Sequence, residues 1–197
     1  TKVDKMAQDD TEIEIKLEVD ENTLAKLRKT LEVNGKFEKT ATQVDEYFTP
    51  AHKNFMDYDF PYEWLSIRKR SGKTILNYKH FYPENKNPFT HCDEYDTFTD
   101  NGEQLKKTLV ALNFRSLTIV EKKRDTYIYR GFEIAIDSVK NLGNFVEIEA
   151  LDNSKGVTET RLALFAVAKE LGLDITKTQI RGYPYLLMEK QGLIKKS

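Results

Sequence analysis

The sequence predicts an α+β fold: about eight strands joined mostly as antiparallel hairpins, with helices outside the sheet. Three observations carry this. Several stretches alternate charged and apolar residues with a period of two, the pattern of a strand with two unlike faces, and Glu12-Ile13-Glu14-Ile15-Lys16-Leu17-Glu18 is the clearest. Turn signals at Ser71-Gly72, Arg130-Gly131 and Leu142-Gly143-Asn144 separate neighbouring stretches at hairpin spacing. Between the strands lie segments whose leucines recur at helical spacing.

In chain order, the opening strand turns Ile13, Ile15 and Leu17 one way and Glu12, Glu14, Lys16 and Glu18 the other. Asp20 or Asn22 can cap a helix with Leu24, Leu27 and Leu31 on one stripe and Gly35 at its end. Residues 42–49 form a strand with Gln43, Asp45 and Tyr47 in phase; the polar and aromatic stretch 50–62 reads as a long loop. Residues 65–70 and 74–81 pair as a hairpin, with Ser66, Arg68 and Arg70 on one face of the first strand and Asn77 and Lys79 on one face of the second. A loop at 82–90, holding Pro83 and Pro88, leads to a strand at 93–98 with Glu94 and Asp96 in phase. Asp100 and Glu103 resemble a capping box that opens a helix with Leu105, Leu109 and Leu112 inward. Residues 120–129 hold Lys122, Arg124 and Thr126 in phase, residues 132–139 hold Asp137, and residues 145–151 hold Glu147 and Glu149. A helix at about 157–171 turns Leu164, Phe165, Ala168 and Leu171 inward and stops at Gly172, and the apolar tail 183–188 has helical character.

No linker or repeat divides the 197 residues, so a single domain over 1–197 is expected. Charged residues make up 32% of the chain but sum to −1, which argues against a nucleic-acid or membrane-binding field. Cys92 is the only cysteine, which rules out an intramolecular disulfide and fits a reducing cytoplasm. The opening residues 1–10 lack the apolar core of a signal peptide, and no stretch reaches the roughly 18 apolar residues of a membrane span. The expectation is a soluble cytoplasmic protein; a homodimer is compatible with its size.

Collected over all strands, one face reads Glu12, Glu14, Lys16, Glu18, Arg68, Arg70, Lys79, Glu94, Asp96, Lys122, Arg124, Asp137, Glu147 and Glu149. For any single strand, a solvated face over a helix-packed core accounts for this. Taken together, nearly every strand carries paired charges at alternate positions, and eight such strands could instead close into a barrel with a charged lumen. Such a lumen needs a charged ligand to be tolerable. The carboxylates suit Mg²⁺ or Mn²⁺ and the Arg and Lys groups suit phosphate oxygens, so metal plus polyphosphate uses both sets at once.

Other residues carry weaker signals. His52, His80 and His91 lack metal-ligand spacing, and Cys92 has no arrangement that would make it a nucleophile. Tyr62 and Trp64 can stack a ring at a tunnel mouth or pack beneath the long loop. Arg70 can be a phosphate ligand or a rim charge, and Glu18 and Arg181 read as rim residues.

The motifs in order resemble the CYTH superfamily, the triphosphate tunnel metalloenzymes. Glu12, Glu14 and Lys16 match an E-x-E-x-K signature; Gln43, Asp45, Tyr47 and Phe48 match Q-x-D-x-Y-F; Leu65, Ile67 and Arg68 match L-x-I-R. Lys79, the acidic pair Glu94 and Asp96, the K-x-R pair Lys122 and Arg124, and the hairpin from Asp137 through Leu142-Gly143 and Phe145 to Glu147 and Glu149 follow in sequence. The resemblance spans about 11–187 and is nearest to the class IV adenylate cyclase-like branch, including Tyr183, Leu186 and Leu187; thiamine triphosphatases are further relatives. His91-Cys92 and Gly182 depart from the pattern, where an Arg and a Ser are frequent.

The resemblance implies a closed eight-stranded antiparallel tunnel barrel with external helices. Arg68, Lys79, Lys122 and Arg124, with Arg70 beside them, would hold the triphosphate. Glu12, Glu14, Glu147, Glu149 and Asp137 would bind one or two Mg²⁺ or Mn²⁺ ions, Glu94 and Asp96 would be further tunnel acids, and Lys16 and Glu149 would sit at the chemistry. The implied activity is conversion of ATP to cyclic AMP and pyrophosphate. The alternatives are hydrolysis of tripolyphosphate, thiamine triphosphate or a nucleoside triphosphate, and non-catalytic polyphosphate or nucleotide binding.

Overall fold

The computed structural model describes residues 10–70 and 72–194. Ser71 of the expected Ser71-Gly72 turn, nearly all of the polar opening stretch and the last three residues lie outside the described residues. The elements are β1 (Thr11–Glu12), β2 (Glu14–Val19), α1 (Glu21–Asn34), β3 (Lys36–Pro50), β4 (Glu63–Arg70), β5 (Lys73–Tyr82), β6 (His91–Thr99), α2 (Gly102–Ala111), β7 (Phe114–Tyr129), β8 (Phe132–Val139), β9 (Gly143–Ala150), α3 (Val157–Glu170) and α4 (Tyr183–Lys190), with a 3-10 turn at Ile175–Lys177.

All nine strands join one antiparallel sheet in the order β1-β6-β5-β4-β3-β7-β8-β9-β2. Its two end strands, β1 and β2, are one stretch of chain interrupted only at Ile13. The sheet therefore curls into a nearly closed barrel whose first strand lends one edge to each neighbour: Asp10 O accepts from Glu94 N at 2.8 Å on the β6 side, and Ile13 O accepts from Ala150 N at 3.1 Å on the β9 side. The expected eight strands become nine because this first strand is split between two partners.

The barrel turns its apolar face outward over half its circumference. Ile13, Ile15 and Leu17 join Ile134, Ile136, Val146 and Ile148 beneath Leu24, Leu27 and Leu31 of α1 and Leu164, Val167 and Ala168 of α3. Burying each such side chain contributes about 1.5–3 kcal/mol, enough in sum to fix both helices on the sheet. α1 starts at Asp20, whose side chain accepts from Thr23 N at 2.7 Å, and is pinned again where Arg28 reaches Asp125 at 2.6 Å. The β7–β8 turn is the tight type the sequence indicated, with positive φ at both Arg130 (51°) and Gly131 (84°), as a two-residue hairpin needs.

At one end the lumen is filled rather than open. Tyr47, Trp64, Val120, Val139 and Phe145 share their strand phase with the charged lumen residues and pack with Tyr183, Tyr185, Leu187 and Met188. The apolar tail is thus helix α4, and it plugs the barrel, giving four helices instead of two or three. The α2 cap is Asn101, not Asp100: the Asn101 side chain accepts from Gln104 N at 3.0 Å. Leu112 lies past the end of that helix and is exposed, leaving Leu109 as its buried residue. β3 and β7 run to 15 and 16 residues, longer than their alternation indicated. Among the described residues no helix is long and apolar enough to cross a membrane.

Candidate active site

The open part of the lumen is a chamber of about 310 Å³, and its wall gathers Glu12, Glu14, Lys16, Arg68, Arg70, Lys79, Glu94, Lys122, Arg124, Glu147 and Glu149. Strand register explains the convergence. Period-two phase points alternate residues inward, and pairing sets Lys79 beside Glu94, Lys16 beside Glu147 and Glu14 beside Glu149 across neighbouring strands. Two expected site residues do not line the chamber. Asp96 is exposed and accepts from Asn77 Nδ2 at 2.7 Å. Asp137 is wholly buried behind the wall.

The β7–β8–β9 wall is a closed network. Asp137 accepts from Lys122 Nζ at 2.8 Å, Arg124 Nε at 2.7 Å, Arg124 Nη2 at 2.5 Å and the Tyr183 hydroxyl at 2.9 Å. Arg124 also pairs with Glu147, and the ammonium groups of Lys16 and Lys122 lie 4.4 and 4.8 Å from the Tyr183 ring. Burial would raise the Glu147 carboxyl, but Arg124, Lys122 and Lys16 hold it well below the usual range. Burial, together with Arg124, lowers the Lys122 ammonium. Three of these four donors fall on Oδ2 and one on Oδ1, so Asp137 seats Lys122 and Arg124 from behind the chamber wall.

The opposite wall shares its charges. Lys79 Nζ donates to Glu12 at 2.5 Å and lies 3.5 Å from Glu94, which also accepts from Arg68 at 2.8 Å and Asn77 at 2.6 Å. Burial pushes the Glu12 carboxyl up to about 9 despite Lys79, whereas Lys79, the hydrogen bond with Glu12 and Arg68 overcome burial at Glu94 and hold it low. Arg70 forms a two-pronged pair with Asp45, so it belongs to the chamber and not to the rim.

Between the walls, Glu14 and Glu149 face each other with no ion pair to any described residue. Burial and then Glu14 push the Glu149 carboxyl up to about 7. Two half-buried carboxylates outside any ion pair, with Lys79 the nearby cation that acts on Glu149, are the donor chemistry a hard divalent ion requires, with Glu12 on the continuation of the same strand. Glu147 holds Arg124 through Oε2, and its Oε1 lies 3.9 Å from Lys16 Nζ. Among the described residues no group of three His, Cys, Asp or Glu side chains stands ready-made as a metal site.

A family model described as the CYTH domain matches residues 10–183, most of the chain. This chain belongs to the CYTH family. Members of the family are triphosphate-acting and in general metal-dependent proteins. This CYTH protein is 30% identical over 138 residues, 70% of its own length and 75% of the relative's, to a Methanocaldococcus jannaschii protein that carries a provisional adenylate cyclase name. A Pyrococcus horikoshii structure shares 27% identity with a TM-score of 0.77, covering 91% of this chain and 99% of that one. At 16% identity and a TM-score of 0.61, covering 92% and 95%, the fold also matches a Hippeastrum protein provisionally classed as an adenylyl cyclase and described as having a dominant triphosphatase activity.

Several site residues were not singled out from the sequence. Tyr183 was noted only within its motif, yet its ring and hydroxyl tie three charged groups together. Asn77, buried and bonded to two acids, showed only as an in-phase polar residue. Arg161 of α3 reaches the chamber from outside the barrel, and nothing in its local sequence signals this. Arg181, expected at the rim, lines the chamber between the rings of Phe60 and Tyr185 at 4.3 and 4.2 Å. Trp64 lines the chamber edge-on to Tyr47, whereas Tyr62 packs against Tyr58 and His80.

Proposed function

We propose that this CYTH protein acts on ATP with Mg²⁺ or Mn²⁺ as a class IV adenylate cyclase, forming cyclic AMP and pyrophosphate in the cytoplasm. One observation carries the reading: Arg68, Lys79, Lys122 and Arg124 converge on a chamber that also holds Glu14 and Glu149, two carboxylates that make no ion pair among the described residues. A triphosphate answers the first set and a divalent ion the second. The chamber volume, about 310 Å³, falls at the lower end of the roughly 300–1,000 Å³ of small-molecule pockets. Phe81, Phe89 and His91 on its wall supply ring surfaces for a base.

When bound, the divalent ion would draw electron density from the reacting phosphate oxygens. Glu14 and Glu149, with Glu12, would hold it. The chain's own cations do the rest. They fix the three phosphates in one extended path and offset the negative charge that builds on the leaving group. The ribose 3′-hydroxyl attacks the α-phosphorus and releases its proton to solvent; its oxygen–phosphorus bond replaces the one to the β-phosphate, and pyrophosphate departs against Arg68, Lys79, Lys122 and Arg124. Lys16 lies between Glu147 at 3.9 Å and the Tyr183 ring, beside the carboxylates.

The second reading, hydrolysis of tripolyphosphate, thiamine triphosphate or a nucleoside triphosphate, is favoured by the activity described for the Hippeastrum protein, and the same cations would serve it. A product assay with each of ATP, tripolyphosphate and thiamine triphosphate, in Mg²⁺ or Mn²⁺, separates the readings. Cyclic AMP with equimolar pyrophosphate is the expected result. Orthophosphate without cyclic AMP would replace the cyclase by a hydrolase, and no product from any of the three would leave a binding module.

A further inference from the structure

The cations of the chamber differ in one respect that the barrel strands do not explain. Lys16, Arg68, Arg70, Lys79, Lys122 and Arg124 each make an ion pair with a carboxylate. Arg161, on α3, lines the same chamber and makes none among the described residues. Its Nη1 donates to the carbonyl of Thr90 at 3.3 Å, and its guanidinium lies 5.6 Å from the Phe165 ring, one turn along the helix. A guanidinium carries five N–H donors in a planar fork, so four remain. Burial lowers the basicity of this group and no neighbouring charge opposes that effect, as expected of a cation that is partly desolvated and unneutralised. An anion entering the chamber finds every cation of the barrel strands that lines it already paired, whereas Arg161 offers its fork without a carboxylate partner among the described residues.

We propose that Arg161 is a substrate-binding residue that takes phosphate oxygens of the triphosphate at the chamber mouth, a role that rests on the triphosphate reading above. The planar fork matches a phosphate and no internal carboxylate has to be displaced. Because the same side chain holds the Thr90 carbonyl, substrate contact also ties α3 to the connection between β5 and β6.

The alternative is that Arg161 only clamps Thr90, and the variants separate the two. Arg161→Gln keeps an N–H for the carbonyl and loses the charge; Arg161→Lys keeps the charge. Titration calorimetry with imidotriphosphate, a non-hydrolysable tripolyphosphate, in Mg²⁺ buffer at several salt concentrations reads the effect. Arg161→Gln is expected to bind about ten-fold more weakly with a shallower salt dependence, and Arg161→Lys to recover part of the loss. Wild-type affinity and salt dependence in Arg161→Gln would overturn the proposal. So would a folded Arg161→Lys, checked by its melting temperature, that binds no better than Arg161→Gln. Absence of binding by the wild-type protein itself would overturn the triphosphate reading and the role of Arg161 with it, whereas normal wild-type binding weakened by Arg124→Ala but not by Arg161→Gln would leave that reading standing and remove Arg161 alone.

Discussion

The two walls of the chamber hold their cations by different means. On the β7–β8–β9 side, Lys122 and Arg124 are bound to a wholly buried aspartate that also accepts from Tyr183, and the outer face of that half of the sheet lies under α1 and α3. On the β1–β5–β6 side, Lys79 is divided between Glu12 and Glu94, and the outer face carries Tyr95 exposed to solvent. The first wall is fixed in position by a core beneath it and a plug beside it. The second relies on acids that can exchange partners. The difference teaches that a charged lumen can be built in two ways: under the proposed function the first wall holds its cations in place before a triphosphate arrives, whereas the second must draw Lys79 and Arg68 away from Glu12 and Glu94 to meet it.

The largest effect should come from breaking the fixed wall. Asp137→Asn removes one partner of a buried cation pair, a change that typically costs about 3–5 kcal/mol, or roughly 10 °C for a domain of this size. Thermal unfolding should show that loss, with activity lost in parallel. Glu149→Gln tests the space between the walls: turnover should vanish in a product assay, with a melting temperature no lower than the wild type because a buried like-charge contact with Glu14 is relieved. Full turnover in that variant would remove Glu149 from the site.

Arg124→Ala should weaken triphosphate affinity about 10- to 100-fold, the range for a lost charge-assisted bond, measured by binding of imidotriphosphate. Unchanged affinity would deny the fixed wall its ligand role. The smallest effect is expected outside the barrel. Asp125, which accepts from Thr40 at 2.6 Å and pairs with Arg28 of α1, is held low by these partners in spite of burial. A depressed carboxyl contributes stability above its unfolded value of about 3.9 and loses it as pH falls through the folded one. Asp125→Asn should therefore cost about 1–2 kcal/mol near neutral pH, a difference that shrinks on acidification, and should leave catalysis unchanged.

What the sequence revealed follows from where each strand lies. β2, β4 and β9 stand between an outer layer and a charged lumen, so Glu14 and Lys16, Ser66 and Arg68, and Glu147 and Glu149 alternate visibly with apolar neighbours. The first part of β3 meets solvent on both faces, and its residues show no contrast to read. Phase alone put Asp137 and Asp96 in the lumen; it could not show that one is enclosed by donors and the other exposed. The tail 183–188 reads as apolar, but what an apolar helix enters is a property of the barrel and not of the helix. Arg161 was hidden for the same reason, since a helix residue reaches a barrel interior only through tertiary placement.

The most direct test is a crystal structure of the protein with Mn²⁺ and imidotriphosphate, with the metal located by anomalous scattering. An anomalous peak at Glu14 and Glu149, with phosphate oxygens on Arg68, Lys79, Lys122 and Arg124, is the expected result. Phosphates outside the barrel, or manganese bound away from both glutamates, would contradict the reading of the chamber as four phosphate-holding cations around a cation-accepting pair.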